Sequence, residues 1–248
     1  MGQNMDKAFL RFVACVASFV MAQAAAADDF GTWLSVGAET SLGKNWSAGA
    51  EAEWRSAERL GLDVSVAYKP LKWLKVQGGY VLQDVRTEGG LTSTGNYYNS
   101  TNWHVRHRFY GDVTGMLKLG RWKLSLRERL TYTMTPSYER NRMCVNAELP
   151  NYGIIDAKTV DSKQKTVLRT RLAAEYDIRK CALSPYASVE MYNDMSLQKV
   201  RYTIGAEYKI NKNNALKMYY LFQDRVTQDD DEPAVDQHVI GASWNIKF

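Results

Sequence analysis

Three histidines, His104, His107 and His238, are the residues of this chain best suited to proton transfer. A hydrolytic site built on one of them needs a nucleophile within hydrogen-bond reach and a third group to orient the ring. His104 and His107 fall in an alternating segment, 101–118, whose phase turns His104 to the polar face and His107 to the apolar one. The nearest strand-borne serine is Ser125, in the segment 122–133. A tight turn at 119–121 pairs residues whose numbers sum to about 240, which sets Ser125 opposite residue 115 and roughly 35 Å from His104. That dyad is out of reach. Ser137 and Tyr138 lie closer to His104, in a long polar stretch, and keep open a lipid-modifying enzyme whose turnover would disappear with His104→Ala.

His238 follows the acidic run Asp229-Asp230-Asp231-Glu232, but the spacing fits neither an EF-hand nor a zinc site. The run reads as a solvated loop. No phosphate loop or dinucleotide fingerprint is present, so neither a metal nor a cofactor is expected. Gly78-Gly79 reads as a kink in a strand. The net charge of +5 and the isoelectric point near 9.0 come from basic residues that alternate with apolar ones, so a nucleic-acid partner is not expected.

The first 27 residues have the form of a secretory signal: Lys7 and Arg11, an apolar core from Phe12 to Met21, then Ala24 to Ala27, with cleavage before Asp28. The apolar core is shorter than the roughly 20 residues of a spanning helix. Cys15 lies too early in it for a lipid anchor. Cys144 and Cys181 remain in the mature chain; the expected topology puts them at opposite ends, and no disulfide is expected.

From residue 30 onward, apolar and polar residues alternate between turn signals, as in successive antiparallel strands. The clearest runs are 199–210, 166–178 and 122–133, where Glu128 interrupts the apolar face. Eight more, at 30–40, 45–55, 59–69, 72–85, 101–118, 184–193, 214–225 and 235–248, bring the count to eleven. Tight connections alternate with others that include long polar stretches at 86–100, 134–162 and 226–234, the pattern of short periplasmic turns and longer outer loops. Residues 28–248 therefore read as one all-β domain, an antiparallel up-and-down transmembrane barrel of 10 to 12 strands. Bacterial barrels have even strand numbers, so a count of eleven implies a strand hidden in a loop or a first segment that does not span.

One face carries Glu51, Glu53, Asp63, Arg106, Arg108, Arg127, Arg129, Arg169, Arg171, Glu175, Arg201 and Glu207, which a barrel would direct into its lumen. Charges there must be paired or hydrated, and the mixed signs satisfy that. Trp46, Trp54, Trp103, Trp122 and Trp244 lie at or near strand ends and suit an interfacial girdle. Trp73 is out of phase with its strand, which suggests a bulge. The last strand, with Trp244, Ile246 and Phe248 in alternation, resembles the terminal signal by which outer-membrane barrels are recognised for assembly. The competing architecture is a soluble lipocalin-like barrel with its apolar face turned inward.

The segments Trp33-Leu34-Ser35-Val36-Gly37-Ala38-Glu39, Leu42-Gly43-Lys44-Asn45-Trp46-Ser47, Glu51-Ala52-Glu53-Trp54-Arg55 and Tyr68-Lys69-Pro70-Leu71-Lys72-Trp73-Leu74-Lys75-Val76, with Gly78-Gly79-Tyr80, resemble DUF2490, a family of unassigned outer-membrane proteins of the Bacteroidetes. The resemblance implies fold and location and brings no catalytic motif. The expectation is a non-enzymatic outer-membrane barrel with a charged, largely plugged lumen. Its partners are membrane lipids, the barrel assembly machinery and an unidentified outer ligand seated in the loops, chiefly 134–162. A small channel for hydrophilic solutes is the alternative.

Overall fold

The computed structural model describes residues 30–56, 58–226 and 236–248. The signal segment expected over 1–27 and the acidic run 229–232 lie outside the described residues.

Among the described residues fifteen strands follow one another: β1 (Phe30–Ser41), β2 (Trp46–Arg55), β3 (Arg59–Leu71), β4 (Leu74–Thr87), β5 (Gly90–Leu91), β6 (Tyr97–Asn99), β7 (Asn102–Leu119), β8 (Trp122–Thr135), β9 (Tyr138–Cys144), β10 (Ile155–Val160), β11 (Lys163–Tyr176), β12 (Leu183–Asp194), β13 (Ser196–Lys209), β14 (Asn214–Arg225) and β15 (Gln237–Lys247). Eleven of them close into a barrel in the order β1-β2-β3-β4-β7-β8-β11-β12-β13-β14-β15. Neighbours in sequence pair antiparallel, and β1 closes the ring parallel to β15, with Phe30 opposite His238 and Glu39 opposite Lys247. The expectation of an even number is thus corrected. Segment 30–41 is a full strand, and parallel closure lets an odd count form a ring without a free edge.

Local chemistry sets the tight turns. Gly120, at φ +60°, makes the two-residue link from β7 to β8. Between β13 and β14, the Asn211 side chain accepts hydrogen bonds from the backbone N–H groups of Asn213 and Asn214, both at 2.8 Å. Trp73 lies in the turn between β3 and β4, beside a register shift between Tyr68 and Leu71. These turns form one end of the barrel, the turn end. The opposite, loop end carries a second sheet.

That sheet, in the order β10-β9-β6-β5, is built from the stretches expected to be loops at 86–100 and 134–162. Two strands are hidden in each of these two connections, but outside the barrel. The sheet is tied to the wall where the Asn102 side chain donates to the Glu139 carbonyl at 2.6 Å and Arg140 donates to the Ser100 carbonyl at 2.7 Å. Cys144 is buried in this sheet and Cys181 is exposed in a turn at the other end, both as free thiols.

The wall inverts the soluble pattern. Leu60, Leu62, Val64 and Val66 on β3 and Val105, Phe109, Val113 and Leu117 on β7 point outward, about half exposed. The buried set includes Arg55, Gln83, Arg106, Asp112, Glu190, Arg201 and Gln223. Among the described residues the apolar core cluster is small: Trp33, Leu221 and Val239, with Tyr219 packed against it. A lipocalin-like barrel requires the reverse. Rows of outward apolar side chains on neighbouring strands are a pattern that soluble surfaces rarely expose.

Candidate functional site

Because strands alternate faces, the wall delivers a charged side chain to the lumen at many levels. Two glutamates organise the middle. Glu53 accepts from Arg55 at 2.8 Å and from Arg59 at 2.9 Å. The Arg55 guanidinium lies 3.4 Å from the centre of the Trp33 ring, and Arg201 stands 4.9 Å from the same ring. Arg201 donates to the Gln223 side chain at 2.7 Å and to the Tyr192 hydroxyl. That hydroxyl donates to Glu190 at 2.9 Å. Glu190 also takes Arg127 at 2.6 Å and Arg169 at 3.0 Å.

The contacts form an unbroken chain from Arg59 on β3, through β2, β1, β13, β12 and β11, to Arg127 on β8. This belt sets five guanidiniums against two carboxylates. Each of these guanidiniums has a polar partner, but the belt carries three more positive charges than negative ones.

Two positions beyond Arg127 on β8, Arg129 donates through Nε and Nη2 to one oxygen of Asp112, at 2.9 and 2.5 Å, and stacks 3.9 Å over Tyr110. The Tyr110 hydroxyl donates to Asp63 at 3.0 Å. Lys123 pairs with Glu175 at 2.7 Å and Lys217 with Glu207 at 3.2 Å. Arg171 shares the inward phase of Arg169, and Glu51 lines the lumen.

The wall is thinned where tyrosines cross it. A Cβ on Gly79 would fall 2.4 Å from the Tyr110 ring, and one on Gly241 2.0 Å from the Tyr219 ring. Gly79, read from the sequence as part of a kink, is instead a socket for the tyrosine paired with it across β4 and β7.

Among the described residues the lumen holds a cavity toward each end. The larger, about 610 Å³, opens toward the turn end, and a smaller one of about 100 Å³ lies toward the loop end. Arg108, Thr131 and Arg169 line both.

The five tryptophans Trp46, Trp54, Trp103, Trp122 and Trp244 are all outward and about half exposed. Trp54 and Trp103 lie toward the loop end, the others toward the turn end. Trp244 and Ile246 belong to β15, and the Phe248 N–H donates to the Glu39 carbonyl at 2.9 Å. Ser125 pairs with Met116, twelve positions along β7 from His104. The His104 ring instead stacks on Tyr138 at 4.2 Å, nearly parallel.

His107 and His238 face outward, where each Nδ1 meets a tyrosine hydroxyl: Tyr80 at 2.7 Å and Tyr220 at 2.6 Å. The outward carboxylate of Glu128 accepts from the Thr170 hydroxyl at 2.8 Å on the next strand. Among the described residues no group of three or more His, Cys, Asp or Glu side chains is placed to hold a metal.

Sequence reasoning named four of the belt's seven ions, Glu53, Arg127, Arg169 and Arg201, and missed Arg55, Arg59 and Glu190 together with the connectors Trp33, Tyr192 and Gln223. The available signal was two aromatic residues in the polar phase of their strands.

A family model described as a protein of unknown function, DUF2490, matches residues 30–232. Among solved structures, the β domain of the Bordetella autotransporter BrkA superposes with a TM-score of 0.51 at 14% identity, over 80% of this chain and 78% of that one. The NanC porin gives 0.45 at 12% identity over 84% and 87%. The translocator domain of the autotransporter NalP from Neisseria meningitidis gives 0.46 at 10% over 75% and 70%. No curated protein matches the sequence. The likeness to the first of these supports the barrel fold and nothing finer.

Proposed function

Because the chain belongs to DUF2490, a family of proteins of unknown function, we propose its role from its geometry: a non-enzymatic outer-membrane barrel whose lumen is held shut by the arginine belt. The observation that supports this reading is the chain of contacts from Arg59 to Arg127, which gathers side chains from seven strands into the lumen between a turn-end and a loop-end cavity. The apolar exterior and the outward tryptophans suit lipid contact and headgroup-level girdles. Phe248, exposed at the end of β15, suits recognition by the assembly machinery. The turns then face the periplasm and the second sheet faces outward.

A narrow channel is the second reading, favoured by the three residues that line both cavities. Planar-bilayer recordings separate the two. A shut lumen gives no steady openings in the wild type and openings in the belt variant Arg169→Ala, whereas ohmic openings in the wild type establish the channel. Heat-modifiable gel mobility of protein from the outer-membrane fraction tests the membrane barrel itself; a soluble periplasmic protein with no shift would sink it.

A further inference from the structure

Two strands carry the same five-residue pattern, Tyr80-Val81-Leu82-Gln83-Asp84 on β4 and Tyr220-Leu221-Phe222-Gln223-Asp224 on β14. In both, the glutamine is buried on the lumen side, so the tyrosine and the aspartate share the outward phase. In both, the tyrosine hydroxyl meets the Nδ1 of a histidine on the next strand of the ring: His107 on β7 at 2.7 Å and His238 on β15 at 2.6 Å. The ring geometry repeats too, with centroids 6.1 and 6.0 Å apart and planes inclined by 24° and 29°.

The two pairs stand at one level on opposite sides of the barrel. β4 and β7 are the fourth and fifth strands of the ring, β14 and β15 the tenth and eleventh. Cross-strand register carries His107 through Leu82, Leu62, Ala52 and Val36 to Trp244, six residues on the turn side of His238. That row slopes toward the turn end, which it reaches through Leu216, Tyr208 and Leu183. At the usual strand spacing and barrel tilt the row falls roughly 15 Å from His107 to Trp244, and the stretch of β15 back to His238 regains about the same height.

Each pair holds one donor more than it uses. A neutral imidazole has one N–H and a phenol one O–H, and the contact between them consumes a single donor, whichever tautomer forms. Among the described residues no further hydrogen-bond partner meets either pair. The neighbours are apolar: Leu82, Phe109 and Met134 at the first pair, Ile204, Phe222 and Ile240 at the second. A donor that faces hydrocarbon needs an acceptor. Asp84 and Asp224, four residues beyond the tyrosines toward the loop end, set an acidic group on that side of each pair. A neutral oxygen therefore suits the site better than a phosphate.

We propose that the two pairs are seats for lipid: each donates its spare hydrogen to an ester carbonyl oxygen of an acylated lipid in the loop-end leaflet, which fixes the depth of the barrel from two opposite sides. The inference rests on the membrane-barrel reading and names the lipid group that the wall recognises.

The test is solid-state NMR of the chain with isotope-labelled histidine, reconstituted in vesicles of diacyl phosphatidylcholine labelled at the ester carbonyls. Magnetisation transfer to the carbonyl is expected from His107 and His238 and not from His104, the third histidine of the chain, which is buried on the lumen side. His107→Phe and His238→Phe should each remove one of the two transfer signals. If either variant loses heat-modifiable mobility, Tyr80→Phe or Tyr220→Phe takes its place and should shift the ring-nitrogen signal of its own partner alone. No transfer from the outward rings of a lipid-embedded, heat-modifiable barrel would overturn the proposal, as would equal transfer from His104 or contact with the headgroup phosphorus in place of the carbonyl. A chain that stays in solution without lipid would refute the barrel reading and this inference with it, whereas an embedded barrel without the contact refutes this inference alone.

Discussion

Glu190 accepts from Arg127, Arg169 and Tyr192 at once, so its carboxylate neutralises one end of the belt. Glu190→Gln is expected to lower barrel stability by about 1–3 kcal/mol, because two buried guanidiniums lose their shared anion. The measurement is the temperature at which the compact gel band is lost. Adding Arg169→Gln should recover part of the loss, since fewer cations then lack a partner; strict additivity would show that the two residues do not act as a pair. Outside the barrel, Arg142 grips Asp156 through two hydrogen bonds at 2.7 and 2.8 Å and holds its carboxyl below its ordinary value of 3.8. A group depressed on folding stabilises above its unfolded value and loses that contribution as pH falls through the folded one. Amide exchange in β10 should therefore quicken as pH drops below the carboxylate range, and Asp156→Asn should erase that pH step.

At the scale of the strands, the tyrosine sockets set the tolerance of the wall. A Cβ on Gly205 would meet the Met218 carbonyl oxygen at 2.4 Å, a backbone atom that moves only if β13 and β14 shift. Gly205→Ala is expected to cost about 1–3 kcal/mol through overpacking. Gly111→Ala, with no neighbouring atom within 4 Å, should be neutral or slightly stabilising, and equal effects in a denaturant titration would refute the socket. Such pairs are hard to read from sequence because they depend on cross-strand register. The strands themselves were legible, since 199–210 and 166–178 alternate cleanly. Even the register of β7 on β8 followed from its two-residue turn: the expected sum of about 240 compares with His107 opposite Met134. The second sheet was not legible. β6 has three residues, and its pairing of Tyr97 with Cys144 joins two connections far apart in the chain. Four of the belt's seven ions were visible as a charged phase, but the chain from Glu53 to Glu190 runs through rings in space that no local pattern encodes.

For the whole molecule, parallel closure decides where its ends lie. Phe30 starts at the loop end and Phe248 finishes at the turn end, because β1 and β15 run the same way. Epitopes placed before Phe30 and within 146–153 should label on the same side of intact cells, with a tag after Phe248 on the other. Labelling of the two ends on one side would sink the parallel seam. That geometry also bears on rewiring the chain. In an even-stranded ring the two termini meet at one rim, and a few residues can join them so that the chain is cut open elsewhere, the usual route to circular permutation. Here a linker from Phe248 back to Phe30 must travel the height of a 12-residue strand, about 40 Å at the usual rise. On the proposed reading it must do so through a lumen held shut by the belt, or through lipid, which tolerates no unpaired backbone. The order of strands in this barrel is therefore fixed by the seam, and a permuted version would need a twelfth strand before it could close.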